Sequence, residues 1–182
     1  MRLNRIKLTM VLYVLSINVA LGTCPENLEL TTPDASFIDN DDGTVTDLGT
    51  GLIWTTCSLG QVWETGQCIG DATSFIWSDA LEQAATFVYA ESSDWRLPNI
   101  KELESLVEFG CHSPSINEGV FPNTSSTYYW SSTTNVFYNG INNGSNRAWV
   151  VDFETGLNSR EVEKNSGEAT NHPLIRLVRN IN

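Results

Sequence analysis

Hydrophobic positions recur with two periods along this chain, and the change of period marks its elements. Trp77, Ala80, Leu81, Ala84, Phe87 and Val88 fall at i, i+3, i+4, i+7, i+10 and i+11, one face of a helix over 77–89. Asp79 and Glu82, three residues apart, offer a capping box at its start. A second amphipathic stretch carries Ile100, Leu103, Leu106 and Val107 and stops at Gly110. Its start is sharply marked. Pro98 disfavours helix at Leu97, Asn99 is a preferred N-cap, and Glu102 can reach back to the Asn99 amide. An extended arm therefore turns abruptly into a helix, and Arg96 on that arm is expected in a structural ion pair rather than in catalysis.

Shorter apolar runs predict strands. Phe37-Ile38 and Thr44-Val45-Thr46 flank an acidic run ending in Asp42-Gly43, which predicts a β-hairpin whose glycine takes φ > 0 without steric cost. Leu52-Ile53-Trp54 predicts a buried strand, as do Tyr128–Thr133, Ala148–Phe153 and Leu174–Arg179. Between them lie an Asn- and Gly-rich loop, 135–146, and a polar stretch, 154–173, with turn signals at Thr155-Gly156 and Ser166-Gly167. Helices early and strands late predict a single α+β domain over 36–182, preceded by an extended lead-in over 23–35. Trp54, Trp77, Trp95 and Trp149 are expected in its core.

The N-terminus predicts export. Arg2, Arg5 and Lys7 precede an apolar run from Leu8 to Leu21, shorter than the roughly 20 residues that span a bilayer and suited to a secretory signal peptide over 1–22. Ala20 and Gly22 fit a cut before Thr23. Leu21-Gly22-Thr23-Cys24 also resembles a lipoprotein box, which would anchor the chain at Cys24 and leave three cysteines, one unpaired. The chain of 182 residues holds 10 basic and 22 acidic residues, and three of the basic ones lie in the leader. So acidic a chain is excluded as a general nucleic-acid binder and is a poor partner for an anionic membrane.

Cys24, Cys57, Cys68 and Cys111 allow three pairings in an oxidising compartment. Cys57 and Cys68 enclose ten residues whose glycines let the segment fold back, so Cys57–Cys68 is the expected bridge. Elimination leaves Cys24–Cys111, a long loop whose closure is worth about 3–5 kcal/mol. Neither a CxxC spacing nor a histidine pair suggests zinc, and Cys111-His112 is read as a disulfide cysteine beside a surface histidine. Calcium is the sharper reading of the acidic 39–47 turn. An EF-hand count back from Gly43 places Ile38 at the first ligand, however, and a plain turn is preferred, with no metal or cofactor assigned.

Several of these segments together resemble one family. Phe37–Asp47, Thr50–Trp54, Cys57–Gln61, Cys68–Gly70, Trp77 with Ala80-Leu81, Asp94–Asn99, Lys101–Leu103, Phe121–Thr124, Trp130–Thr133 and Arg176–Arg179 follow in order the pattern of the Lcl C-terminal domain family, formerly domain of unknown function 1566. The resemblance implies a C-type-lectin-like single domain, two helices packed on mostly antiparallel strands with long loops, in an exported bacterial protein. It also implies a relation to the formylglycine-generating scaffold. A well-known member binds sulfated glycans as a trimer fused to collagen-like repeats. Here there is no Gly-X-Y tract, and the acidity argues against a polyanion unless Arg147, Arg160 and Lys164 cluster.

Three functions follow as expectations. The first is a binding or adhesion module for a glycan or surface protein, using Tyr128, Phe137, Tyr138, Asn139, Asn142, Asn143 and Arg147. Aromatic rings suit sugar faces and Asn amides match hydroxyl pairs. The Glu-Pro-Asn and Trp-Asn-Asp elements of calcium-dependent lectins are absent from the sequence. The second is a structural subunit of an envelope or appendage assembly. The third, an enzyme of the formylglycine-generating kind, is disfavoured because all four cysteines are assigned to disulfides.

Overall fold

The computed structural model describes residues 24–25, 28–135, 146–165 and 172–181, with the side chains of 158–161 left out. Mostly antiparallel strands form three sheets, joined by two helices, so the α+β expectation holds. The first sheet has the order β1 (Phe37–Asp39), β2 (Thr44–Asp47), β3 (Leu52–Thr55) and β9 (Val178–Asn180). A two-stranded sheet pairs β4 (Val62–Glu64) with β5 (Gln67–Ile69), and a third has the order β6 (Tyr128–Asn135), β7 (Arg147–Asp152) and β8 (Leu157–Glu163). The helices are α1 (Trp77–Thr86) and α2 (Ile100–Glu104).

Strand alternation divides the interior into two clusters. Leu52, Trp54, Tyr129, Val151, Leu174 and Val178 join Leu103 of α2 in one. Their neighbours Ile53, Trp130, Val150, Ile175 and Leu177 join Ala80 and Ala84 of α1 in the other. Segment 174–180 runs between the sheets. Trp130 N–H donates to the Leu174 carbonyl, Leu59 N–H to Ile175, Thr55 N–H to Leu177, and Arg96 and Val178 exchange both backbone bonds. Only Val178–Asn180 forms a ladder, so the strand expected over 174–179 is shorter, because upstream residues bond alternately to different neighbours.

Arg176 lies in the middle of this segment, fully buried. Its Nη1 donates to the Thr55 carbonyl at 3.1 Å and to that of Thr56, and its Nη2 donates to Thr124 Oγ1 at 2.7 Å. The Phe121 ring lies 4.7 Å below the guanidinium. Burial lowers its pKa to about 10, partly opposed by nearby Tyr129, so it keeps its charge at neutral pH.

The arm before α2 forms as expected. The Asn99 side chain accepts from Glu102 N–H while Glu102 accepts from Asn99 N–H, and Arg96 grips the same carboxylate at 2.7 and 2.9 Å. Burial raises the Glu102 pKa, but the Arg96 and Asn99 bonds outweigh it and hold the carboxyl below its ordinary value. The helix itself ends at Glu104, well before Gly110, because Val107 turns to pair with Ile116.

Helix α1 starts at Trp77 as expected, but its cap and its end differ. Ile76 is its N-cap without a side-chain cap, so the Asp79/Glu82 box is not used. The start is set instead by Trp77, whose backbone N–H donates to Lys164 and whose indole donates to the Ser131 carbonyl. The helix stops at Thr86, which leaves Val88 exposed at 71% rather than on the buried stripe. Of the four tryptophans expected inside, Trp54 and Trp95 are buried, but Trp77 and Trp149 are half-buried. Trp149 has the opposite strand parity from Ala148 and Val150, the residues β7 gives to the second cluster. Within the polar 154–173 stretch the turn at Gly156 forms at φ +73°, but strand β8 was not foreseen, and Ser166-Gly167 lies outside the described residues.

Both expected disulfides are present, Cys24–Cys111 and Cys57–Cys68. The first is reinforced by buried Glu108, which accepts from Thr32 N–H at 2.7 Å, the Thr31 and Thr32 hydroxyls, and Gly110 N–H at 2.8 Å. Burial raises its pKa, but these donors outweigh burial and hold the carboxyl below its ordinary value.

Two outcomes are expected. Arg176→Met should cost about 3–5 kcal/mol in urea unfolding, since it strands buried carbonyls and hydroxyls that the guanidinium satisfies. Glu108 binds protons less readily folded than unfolded. Its contribution is complete above the unfolded pKa and is lost as pH falls through the folded one. The protection of the Thr32 and Gly110 amides against hydrogen exchange, relative to their intrinsic rates, should therefore fall only in acid, and Glu108→Gln should lower it already at pH 7.

Candidate binding site

The Cys57–Cys68 loop is not an irregular cap. Thr65 and Gly66, at φ +47° and +81°, reverse the chain so that β4 pairs with β5 and Trp63 stands opposite Cys68. Side chains clamp this hairpin to the body. Gln61 accepts from Ser58 N–H and donates to the Asn123 carbonyl, while Asn123 Nδ2 donates to the Cys68 carbonyl at 2.6 Å. Gly60, at φ +102°, lets the chain pass where a Cβ would lie 2.6 Å from the Thr73 amide nitrogen.

A second aromatic group faces the hairpin. After α1, Ala90 and Glu91 both take positive φ in a tight turn closed by Tyr89 and Ser92. Phe87 and Tyr89 stack at 5.7 Å, and Trp95 packs against both while its indole donates to the Tyr89 carbonyl. Between the two groups opens a cleft of about 290 Å³ whose walls include Gly43, Gln61, Val62, Trp63, Phe87 and Tyr89. Gly43 lines it at φ +81°. A Cβ there would sit 2.0 Å from Tyr89 Oη and 3.0 Å from Trp63 Cγ and Cδ1. Burial, and secondarily the negative charge of Asp42, raise the Tyr89 pKa, so its hydroxyl stays protonated and able to donate. A smaller cleft of about 190 Å³ shares the wall at Trp63 and is lined by Asp34, Phe37, Asp39 and Val120.

The acidic turn forms the expected hairpin. Asp39 accepts from Asp41 N–H, Asp42 from Thr44 N–H and Oγ1, and Asp47 from Gly49 N–H and the Thr50 hydroxyl, so these carboxylates cap their own turns.

Among the residues singled out from sequence, Phe137, Tyr138, Asn139, Asn142 and Asn143 lie outside the described residues. Tyr128 and Arg147 are half-buried and not brought together. Tyr128 pairs with Asp152 and Arg147 with Asn135, at opposite ends of β7, about 17 Å apart along the strand. Arg147 is bound to Glu163 at 3.1 Å, Lys164 lies over the Trp77 ring at 4.3 Å, and the Arg160 side chain is not described. Trp63, Phe87 and Tyr89 were missed. Thr65-Gly66 between Val62-Trp63-Glu64 and Gln67-Cys68-Ile69 is a hairpin signal that would have placed the first of them.

The Lcl C-terminal domain model matches residues 43–179, most of the chain. The chain belongs to that family. No curated protein and no solved structure gives a match. The matched span contains every named wall of the larger cleft, from Gly43 onward, whereas Asp34, Phe37 and Asp39 precede it. The larger cleft is thus built from the Lcl domain itself, and the acidic one borrows the lead-in and β1. Gly43→Ala should destabilise by about 1–3 kcal/mol through positive-φ strain and overlap with Tyr89. Thermal unfolding reads that loss, and near-ultraviolet dichroism should report displaced Tyr89 and Trp63.

Proposed function

We propose that this Lcl C-terminal domain is an exported bacterial binding module that recognises a glycan or surface protein and performs no chemistry of its own. The observation that carries this is the aromatic cleft held open between the disulfide-closed β4–β5 hairpin and the Phe87–Tyr89–Trp95 group. Its size and its mix of flat apolar walls with a few polar atoms suit ligand recognition. All four cysteines are in disulfides, which supports a non-catalytic role against formylglycine-type thiol chemistry. Two disulfides, with no helix among the described residues long and apolar enough to cross a membrane, are compatible with export. A C-type-lectin-like arrangement of loops belongs to the same proposal, and the residues the sequence offers as a second recognising set are Tyr128, Phe137, Tyr138, Asn139, Asn142, Asn143 and Arg147.

The test is a glycan array and an envelope-protein pull-down with the mature oxidised protein. Trp63→Ala should weaken the retained ligand at least about tenfold, equivalent to about 1.4 kcal/mol, without changing the melting temperature. If Tyr138→Ala abolishes retention while Trp63→Ala does not, the second set is the site. Retention of a protein without any saccharide would favour an envelope-assembly subunit.

A further inference from the structure

The two clefts on either side of Trp63 differ in chemistry, and the difference selects a ligand. One wall set is aromatic, Trp63, Phe87 and Tyr89. The other carries the carboxylates of Asp34 and Asp39, and Asp42 precedes Gly43, which lines the first. Among the described residues no Lys, Arg or His lines either cleft, in a chain of net charge −12. Asp34 Oδ1 accepts from Asn117 Nδ2 and Asp39 Oδ1 accepts from Asp41 N–H, which fixes the carboxylates in place.

We propose that the surface formed by Trp63, Phe87 and Tyr89, with Asp34, Asp39 and Asp42 beside them, binds an organic ammonium group carried on an apolar body. This deepens the binding-module proposal and rests on it. Indole and phenol faces carry the negative side of the ring quadrupole, so a cation against them is attracted without needing a hydrogen-bond donor site. Nearby carboxylates add a longer-range pull, and the same field repels sulfated or phosphorylated ligands. A neutral sugar ring gains stacking but none of the charge attraction. Quaternary ammonium head groups and lysine side chains share the required chemistry. The hairpin's clamps, Cys57–Cys68, Gln61 and Asn123, hold Trp63 in position before any ligand arrives, which limits the ordering cost of binding.

The experiment titrates the mature oxidised protein with choline and with its uncharged isostere, 3,3-dimethyl-1-butanol. Binding is followed by the Trp63 indole N–H resonance, assigned by its loss in Trp63→Phe. Choline should shift that resonance saturably and bind at least about tenfold more tightly than the isostere. Added salt should weaken it, and Asp34→Asn with Asp39→Asn, or Asp42→Asn, should weaken it severalfold with folding unchanged. An Nα-acetyl-lysine methylamide arm separates a peptide ammonium from a quaternary one, and binding of either supports the proposal. Equal binding of isostere and choline, or no shift of Trp63 with any cation, overturns it. A neutral saccharide held in a Trp63-dependent way would overturn the ammonium class while leaving the binding module standing. Failure of every ligand with Trp63→Ala indifferent would remove both.

Discussion

A guanidinium buried with no carboxylate partner among the described residues must be solvated by the fold itself, and Arg176 imposes that requirement here. Its donors reach the carbonyls of Thr55 and Thr56 at the end of β3 and the hydroxyl of Thr124 before β6, with the Phe121 ring against its face. Desolvating a cation is costly, so these groups must arrive together or not at all. The backbone around Arg176 makes the same connections, bonding to β3, to the approach to β4 and to β6. One side chain and its neighbours therefore set how the first sheet meets the third, and how both helices find their clusters.

From that joint the recognising surface is built outward. Leu59 is bonded to Ile175, so the β4–β5 hairpin begins at a fixed point, and its disulfide and side-chain clamps carry that rigidity to Trp63. On the other side, Trp95 holds Phe87 and Tyr89 from a position flanked by the Arg96–Val178 bonds. Both walls of the cleft are thus tied to the segment that carries Arg176. The acidic cleft beside it comes from a different source, the β1–β2 hairpin and the lead-in. That lead-in is fastened by Glu108, Asn117 and Cys24–Cys111 rather than by apolar burial. Polar tethering suits a segment whose own residues are mostly exposed.

Local signals that complete themselves within a few residues were legible. The Asn99–Glu102 capping box, the Asp42-Gly43 turn, the buried run Leu52-Ile53-Trp54, the Arg96 ion pair and the two disulfides all appear as expected. Each needs a single turn, a single period or simple pairing arithmetic. The errors share another character. Helix α1 is fixed at its start by Trp77 docking on Lys164 and Ser131 and not by the Asp79/Glu82 box, and α2 stops where Val107 finds Ile116, partners 87, 54 and 9 residues away in sequence. The ligand surface escaped for the same reason. Gly43, Trp63 and Tyr89 come together from three separate segments, and nothing in the sequence near any one of them names the other two.

The sequence by itself determined the family, the α+β class, the acidity and the sulfur pairing, because composition, short-range periodicity and turn chemistry are local properties. Tertiary structure alone decided that Arg176 is interior, that Trp77 and Trp149 stay half-covered, and that two hairpins and an aromatic turn enclose a cleft. Those outcomes depend on which distant surfaces compete for the same side chain, and that competition is settled only when the chain has closed on itself.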